Sequence, residues 1–275
     1  MTPLDEKLAA LDRQLRACGG LLVAFSGGAD SAFLLAAAVR ALGAERVVAA
    51  TALSPSLPET ERTAAAEFAG ALGVRHEMPR TDELSRAGYR ANAGDRCYFC
   101  KAELLDVLGP LAAELGLEVV ATGTNADDAA AGFRPGMRAA DERGVVTPLR
   151  DVGLTKAEVR AASRAWGLVT ADKPAAACLS SRIAYGVEVT PHRLARVERA
   201  EAAARAWFLA AGLDVRDLRV RDLGARARVE VDAHLVGAAA GVRGVVSEAG
   251  FADVEVEPFR SGSMNELLPD PERWR

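Results

Sequence analysis

The sequence predicts an α/β fold, a doubly wound parallel sheet followed by a smaller α+β domain. Three observations carry this. Strand-length apolar runs alternate with helical patterns over the first 170 residues. Two of those runs, ending at Phe25 and Thr122, lead straight into glycine-containing loops, Ser26 to Ser31 and Gly123 to Asp128. From Pro191 onward the pattern changes to one long helix and a set of short strands. With 275 residues, half of them apolar, the chain can bury one large core or two modest ones.

The elements follow in order. Met1 to Lys7 begins a helix of mixed charge that lacks the basic and apolar regions of a signal peptide. Leu21 to Phe25 is the first strand, and Ala32 to Leu42 the helix after its loop. Arg46 to Leu53 is a second strand, Pro58 and Glu59 open a helix to Leu72, and Val74 to Met78 is a third strand. Glu118 to Thr122 is another, ending in the turn that carries Asn125, Asp127 and Asp128. In a parallel sheet, ligands bind beyond the carboxyl ends of the strands, where both glycine loops fall. Thr155 and Glu158 form a capping box for a helix that reaches Trp166 and stops at Gly167. Residues 170 to 190 are a long irregular connection, the kind of stretch that often carries function. A helix from Pro191 to Ala211, strands at Arg216 to Val220 and Ala227 to Val231, a helix from Ala233 to Gly250 and a strand at Val254 to Glu257 complete the chain. The expected organisation is a nucleotide-binding domain over 1–170, a functional connection over 171–190 and a smaller domain over 191–275.

Charge and composition exclude several classes. A net charge of −4 argues against nucleic acid as the main partner. No apolar run approaches the roughly 18 to 20 residues that span a bilayer, so no membrane partner is expected and the location predicted is cytoplasmic. Four cysteines in a reducing compartment point to thiols or metal ligands rather than disulfides.

The loop Ser26-Gly27-Gly28-Ala29-Asp30-Ser31 points to a nucleotide phosphate. Glycines admit positive φ and close approach, and the N–H groups opening the next helix face whatever sits above them. Ser26 and Ser31 add hydroxyl donors, and Asp30 a carboxylate for Mg²⁺ against a pyrophosphate. A Walker A loop would need a lysine before its last Ser or Thr, and none is present. This element resembles the PP-loop of the ATP pyrophosphatase superfamily, whose members split ATP between the α and β phosphates, which implies adenylation of a substrate oxygen.

Arg96-Cys97-Tyr98-Phe99-Cys100-Lys101, lying before a helix, together with the distant Cys178, is the second constellation. Taken alone it admits zinc, a redox dithiol, an iron–sulfur cluster with one open iron, or three unrelated cysteines. His76, His192 and His234 show no ligand spacing to either pair, and Cys18 is expected to be a buried structural thiol.

Several motifs, in order, are similar to the LarE family of ATP-dependent sulfur transferases of nickel-pincer nucleotide synthesis. They are the loop at 26–31, Arg96 to Lys101, Ala121 to Asp128, Arg134-Pro135-Gly136, Gly153 to Lys156, Lys173 to Arg182, Arg219-Val220-Arg221, Ala227 to Glu230 and Gly262 to Asn265. The resemblance spans nearly the whole chain. It implies pyridinium-3,5-biscarboxylic acid mononucleotide as substrate, ATP and Mg²⁺ as cofactors, a sulfide donor, and a homo-oligomer. One branch of the family sacrifices the sulfur of the cysteine matching Cys178. Another carries three cysteines matching Cys97, Cys100 and Cys178 and resembles enzymes that use a [4Fe-4S] cluster, and this chain has all three.

Roles follow from motif and resemblance together. Ser26, Gly27, Gly28 and Ser31 are expected to cradle ATP, and Asp30 the metal. Lys101 is expected to contact phosphate or the substrate carboxylate, the alternative being an exposed lysine at a helix start. Ser180, Ser181 and Arg182 suit the substrate phosphate. Arg219 and Arg221 alternate on a strand and share a face, either an anion pocket or a solvated edge. Glu201 matches an acidic position of the family, and alone would be a surface charge. Asp127 and Asp128 are nucleotide or metal groups, or solvated loop carboxylates. Two departures stand out: Ala29 where valine is usual, and Ala129 to Phe133 where the family places polar and acidic residues.

Other functions use similar parts. A cluster-dependent tRNA thiolase would have to grip RNA, which the acidic balance opposes, and salt-sensitive tRNA binding would identify it. A PP-loop amidating ligase would leave the cysteines without a task. A degenerate nucleotide sensor would release no pyrophosphate.

Overall fold

The computed structural model describes residues 2–130, 135–174, 177–260 and 262–268. Arg134, Ala175 and Ala176 of the motifs above, and the stretch 131–133 of the departing loop, lie outside the described residues. The chain forms two compact units, one from Met1–Glu83 with Cys97–Ala176, the other from Leu84–Arg96 with Ala177–Arg275. The sequence reading, with boundaries at 170 and 190, does not contain this interleaving.

The first unit is the expected α/β layer. Its elements are α1 (Pro3–Ala17), β1 (Leu21–Ala24), α2 (Ala29–Leu42), β2 (Val47–Ala50), α3 (Glu59–Ala71) and β3 (Arg75–Glu77). Short α4 (Ala87–Arg90) belongs to the second unit, after which come α5 (Arg96–Glu114), β4 (Val120–Thr122), α6 (Ala126–Ala130), α7 (Pro135–Asp141), α8 (Pro148–Asp151) and α9 (Lys156–Ala165). The four strands are parallel, in the order β3-β2-β1-β4. Strand order therefore reverses between β1 and β4, and the loops after both strands share one edge of the sheet. That edge is where a doubly wound sheet opens a crevice.

Alternation along the strands supplies both faces of this sheet. Leu21, Val23, Val47 and Ala49 pack with α2, α3 and α9, while Leu22, Ala24 and Ala50 pack with Leu108 and Ala112 of α5. On the first face Trp166 stacks on Phe33 at 4.8 Å and lies under Arg40 at 4.1 Å, joining the end of α9 to α2. Each fully buried leucine or phenylalanine here contributes roughly 1.5–3 kcal/mol. Beyond β2 and β3, the buried carboxylate of Glu83 accepts hydrogen bonds from Ser54, Ser56 and Thr81, pinning both following loops.

The second unit holds α10 (Pro191–Ala210), β5 (Leu218–Asp222), β6 (Arg226–Val231), α11 (Val242–Ser247) and β7 (Asp253–Pro258). The sheet order is β5-β6-β7, antiparallel then parallel. Ala200, Ala204 and Phe208 of α10 and Val242 and Val246 of α11 cover its apolar face. A buried knot joins Asp222 to Arg193 at 2.8 Å and to Arg196 at 2.6 Å.

Several boundaries differ from the sequence expectation, each for a physical reason. β2 is shorter than 46–53, because Ala44–Arg46 winds into a 3-10 turn and the chain beyond Ala50 keeps only an isolated bridge from Leu53 to Arg80. β5 starts at Leu218 instead of Arg216, because the Asp232 carboxylate takes the N–H groups of Arg216 and Asp217 at 2.8 and 3.2 Å. The helix expected over 233–250 breaks into 3-10 turns at Ala233–Leu235 and Ala238–Gly241 followed by α11. Gly237, Gly241 and Gly244 weaken the helical path, and Gly241 is fixed by packing, since a Cβ there would stand 2.7 Å from Trp207 Cζ2. Cys18 is only partly buried; its thiol lies 3.4 Å from Gln14 O, and desolvation pushes its pKa up.

Candidate active site

The glycine loop leaves the buried end of β1 and enters α2 at Ala29, three residues earlier than the sequence pattern suggests. Gly27 sits at φ +72°, a conformation L side chains avoid. Ser31 closes the loop: its Oγ donates to Gly28 O at 3.1 Å, accepts from Ser26 N at 3.3 Å and lies 3.1 Å from Ser26 Oγ. Gly28 is the N-cap of α2, and no side chain among the described residues caps it. The first amides of α2 are thus presented at the sheet's switch point with the positive end of the helix dipole.

Two lysines that sequence reasoning gave no role reach this loop. Lys156, the first residue of α9, places Nζ 3.2 Å from Asp30 Oδ2, while Asp30 Oδ1 is buried with no hydrogen-bond partner among the described residues. An oxygen left this way suits a cation, so the donor chemistry at Asp30 fits Mg²⁺. Lys173 Nζ lies 3.0 Å from Gly27 O and 2.6 Å from Glu61 Oε2 on α3. The signal for both was compositional: only four of the 34 basic residues are lysines, at 7, 101, 156 and 173.

The loop after β4 presses against the same helix start. A Cβ on Gly123 would meet Ser31 N at 2.7 Å and Ser31 Cα at 2.8 Å, so only glycine fits. Asn125 caps α6 by accepting the N–H groups of Asp127 and Asp128 at 2.9 and 3.1 Å, and its own N–H donates to Asp128 Oδ2 at 3.2 Å. Asp127 Oδ2 accepts the Lys156 N–H at 2.8 Å. Both aspartates therefore hold helix starts, a task weighed for neither in the sequence. Thr155 and Glu158 form the expected capping box, and Lys7 pairs with Glu158 at 2.8 Å.

Behind the loop, His76 Nε2 lies 2.9 Å from Thr51 Oγ1, which donates to Phe25 O at 2.7 Å. Since the hydroxyl proton goes to Phe25, the ring donates from Nε2. Burial pushes the imidazole below its ordinary value of 6.5, opposed by Glu77. The unfolded chain then binds more protons just below 6.5, so His76 withdraws stability as pH falls through that window. The Tm drop between about pH 7 and about pH 5.5 is expected to be smaller in His76→Gln than in the parent. Equal slopes in thermal scans would refute this.

Cys97 and Cys100 lie within the first two turns of α5, not before it, three residues apart and so on neighbouring turns of one face. Cys97 is exposed, Cys100 partly so, and neither is in a disulfide. Lys101 follows, partly buried; desolvation pushes its ammonium pKa down, with Cys100 opposing. Gly136 of α7 packs here, its Cβ direction 3.5 Å from Cys97 O.

In the second unit, Cys178 is the N-cap of a 3-10 turn, Leu179–Arg182, and its Sγ lies 2.9 Å from Ser180 Oγ. Cys178 O accepts from Ser181 Oγ at 2.7 Å and Arg182 Nη1 at 3.0 Å. Arg182 is gripped by Glu201 of α10, Nε to Oε1 2.9 Å and Nη2 to Oε2 3.3 Å, and also donates to Ala177 O. Glu201 is thus no surface charge: it also accepts the Val220 N–H at 3.0 Å. Arg219 and Arg221 are 8% and 6% exposed, so their strand is not a solvated edge. Arg221 makes a two-pronged contact with Glu230 Oε2 at 2.9 and 2.7 Å, and Glu230 Oε1 accepts from Ser263 at 2.7 Å. Arg219 donates to Leu218 O at 2.7 Å and lies over the Phe259 ring; burial and then the nearby Arg182 push its pKa down. Arg182, Arg219 and Arg221 gather guanidinium groups beside Glu201 and Glu230 in a desolvated place, a donor chemistry that suits an anion.

Asn92 organises this unit. It is the one non-glycine residue with positive φ among the described residues, and its Nδ2 donates to the carbonyls of Ile183, Ala184 and Val187 at 3.2, 2.8 and 2.8 Å. Its Oδ1 accepts from Arg96, which also donates to Ser180 O at 3.0 Å. The residue before Cys97 is thereby bonded to the residue two beyond Cys178, a link that sequence reasoning missed. For a cluster, three thiols outside any disulfide are a suitable donor set. Among the described residues no group of three or more His, Cys, Asp or Glu is gathered to hold a metal ion. Also among them, no helix is long and apolar enough to cross a membrane.

No family model matches the chain. It is similar to an uncharacterised protein of Synechocystis sp., 42% identical over 228 residues, which cover 83% of this chain and 82% of that one. It is 31% identical over 274 residues to the pyridinium-3,5-bisthiocarboxylic acid mononucleotide synthase of Lactiplantibacillus plantarum, covering 98% of this chain and 97% of the synthase. An uncharacterised protein of Methanocaldococcus jannaschii is 24% identical over 212 residues, 77% of each chain.

Proposed function

The chain belongs to the family of the pyridinium-3,5-bisthiocarboxylic acid mononucleotide synthase, and from that premise we propose that it is an ATP-dependent sulfurtransferase acting on pyridinium-3,5-biscarboxylic acid mononucleotide. The observation that carries this reading is the uncapped start of α2 at the switch point, flanked by Lys156 and Lys173.

A carboxylate is a poor electrophile, so ATP activates it first. A substrate carboxylate oxygen attacks the α-phosphorus, the bond to the bridging oxygen breaks, and pyrophosphate leaves. The amides of Gly28 and the first turn of α2, with Ser26 and Lys156, hold the charge on that leaving group, and Asp30 would hold Mg²⁺, which when bound neutralises part of that charge. Hydrosulfide then adds to the acyl carbon, AMP departs with its electron pair, and one proton is released as the thiocarboxylate forms. Arg219 and Arg221 hold the substrate's phosphate, Ser180 and Ser181 orient it, and Arg182 with Glu201 fixes the turn that carries Cys178. Lys101 stays beside the thiols as a partly desolvated cation suited to the reacting carboxylate. Cys97, Cys100 and Cys178 would hold a [4Fe-4S] cluster, which when bound supplies the sulfide from its open iron. The protein works as a homo-oligomer in the cytoplasm.

The test is anaerobic turnover with ATP, the pyridinium dicarboxylate and sulfide, followed by iron spectroscopy and intact mass. Thiocarboxylate, AMP and pyrophosphate are expected together with iron–sulfur absorption and an unchanged protein mass. Absence of that absorption, or loss of one sulfur from Cys178, would overturn the cluster. Absence of pyrophosphate would overturn the activation step.

A further inference from the structure

The peptide joining Gly27 to Gly28 is the part of the phosphate loop that its own sequence constrains least. Glycine on both sides admits either orientation of that unit at small cost. The unit is planar and trans, so its C=O and N–H point in opposite directions. In the structure the Gly27 carbonyl faces Lys173 Nζ at 3.0 Å, and the Gly28 N–H faces the other way, toward Ser26 Oγ at 3.4 Å, on the exposed side of the loop. A rotation of this peptide would put a carbonyl oxygen where an anion must sit. Lys173 is in turn fixed by Glu61 at 2.6 Å, both side chains being about one-fifth exposed.

We propose that Lys173, held by Glu61, is a positioning residue that locks the Gly27–Gly28 peptide with its N–H toward the nucleotide phosphates. The inference deepens the reading of residues 26–31 as an ATP site and rests on it. A charged donor on one carbonyl is a strong hydrogen bond in a partly buried place, sufficient to bias a two-glycine hinge. The lysine acts through the backbone, and its charge reaches the phosphates only through the amide it orients.

The test uses the full chain labelled with carbonyl-¹³C, ¹⁵N glycine. Gly20 and Gly28 alone follow another glycine in the sequence, so a carbonyl-selected amide spectrum contains those two signals. In the parent protein a non-hydrolysable ATP analogue is expected to move the Gly28 signal and leave Gly20 in place. In Lys173→Met the Gly28 signal is expected to be displaced or broadened before any nucleotide is added, and analogue affinity to fall about tenfold or more by calorimetry. Glu61→Gln is expected to do the same to a smaller extent. Gly20 reports that each variant is folded, and Glu61→Gln alone decides if Lys173→Met does not fold. An unmoved Gly28 signal in the folded variants would overturn the lock, even if affinity fell, because the lysine would then act by direct contact. A parent protein that ignores the analogue would overturn the ATP reading, while the Gly28 displacement would still decide the lock.

Discussion

Gly123→Ala is expected to abolish detectable ATP binding and to lower the Tm by at least about 5 °C. The new methyl group would meet backbone, Ser31 N at 2.7 Å and Asp30 C at 2.9 Å, and backbone at a helix start has no rotamer to change. Either the loop after β4 or the first turn of α2 must shift, and that turn carries both Asp30 and the amides proposed for phosphate. Gly70→Ala is the control: it lies in α3, its Cβ meets nothing within 4 Å, and alanine favours the helix, so Tm is expected to hold or rise. Differential scanning calorimetry and isothermal titration with an ATP analogue measure both. Parent-like Tm and affinity in Gly123→Ala would show that the two loops do not depend on their close contact.

Arg219→Met is expected to move stability and function in opposite directions. Burial is the first cause of the lowered pKa of Arg219, followed by repulsion from Arg182. The fold therefore keeps a cation where it is disfavoured, and methionine fills the space without charge. Tm is expected to stay level or rise, while KM for the pyridinium mononucleotide rises about a hundredfold and ATP affinity is unchanged. A lower Tm with unchanged KM would assign Arg219 to packing alone.

Local patterns made part of this molecule legible. Short apolar runs announced β1, β2 and β4, and the Thr155 and Glu158 pair announced the start of α9, because hydrophobic patterning and capping act over a few residues. The ends of elements were less readable. β5 begins two residues late because Asp232, far along the chain, takes its first amides. The helix expected over 233–250 breaks where Trp207 claims the space beside Gly241. Glu201 looked like a surface charge because its partner, Arg182, lies outside its helix.

The sequence by itself determined which groups the chain carries: the glycine loop, the cysteines at 97, 100 and 178, and the alternating arginines. These follow from local spacing, which a sequence states directly. Only the tertiary structure decided how those groups are held. Lys156 reaches Asp30 across 126 residues, Lys173 reaches Gly27 across 146, and Arg96 reaches Ser180 across 84. Such bonds form because packing brings buried polar groups together and burial penalises any left unpaired, and no local period encodes that.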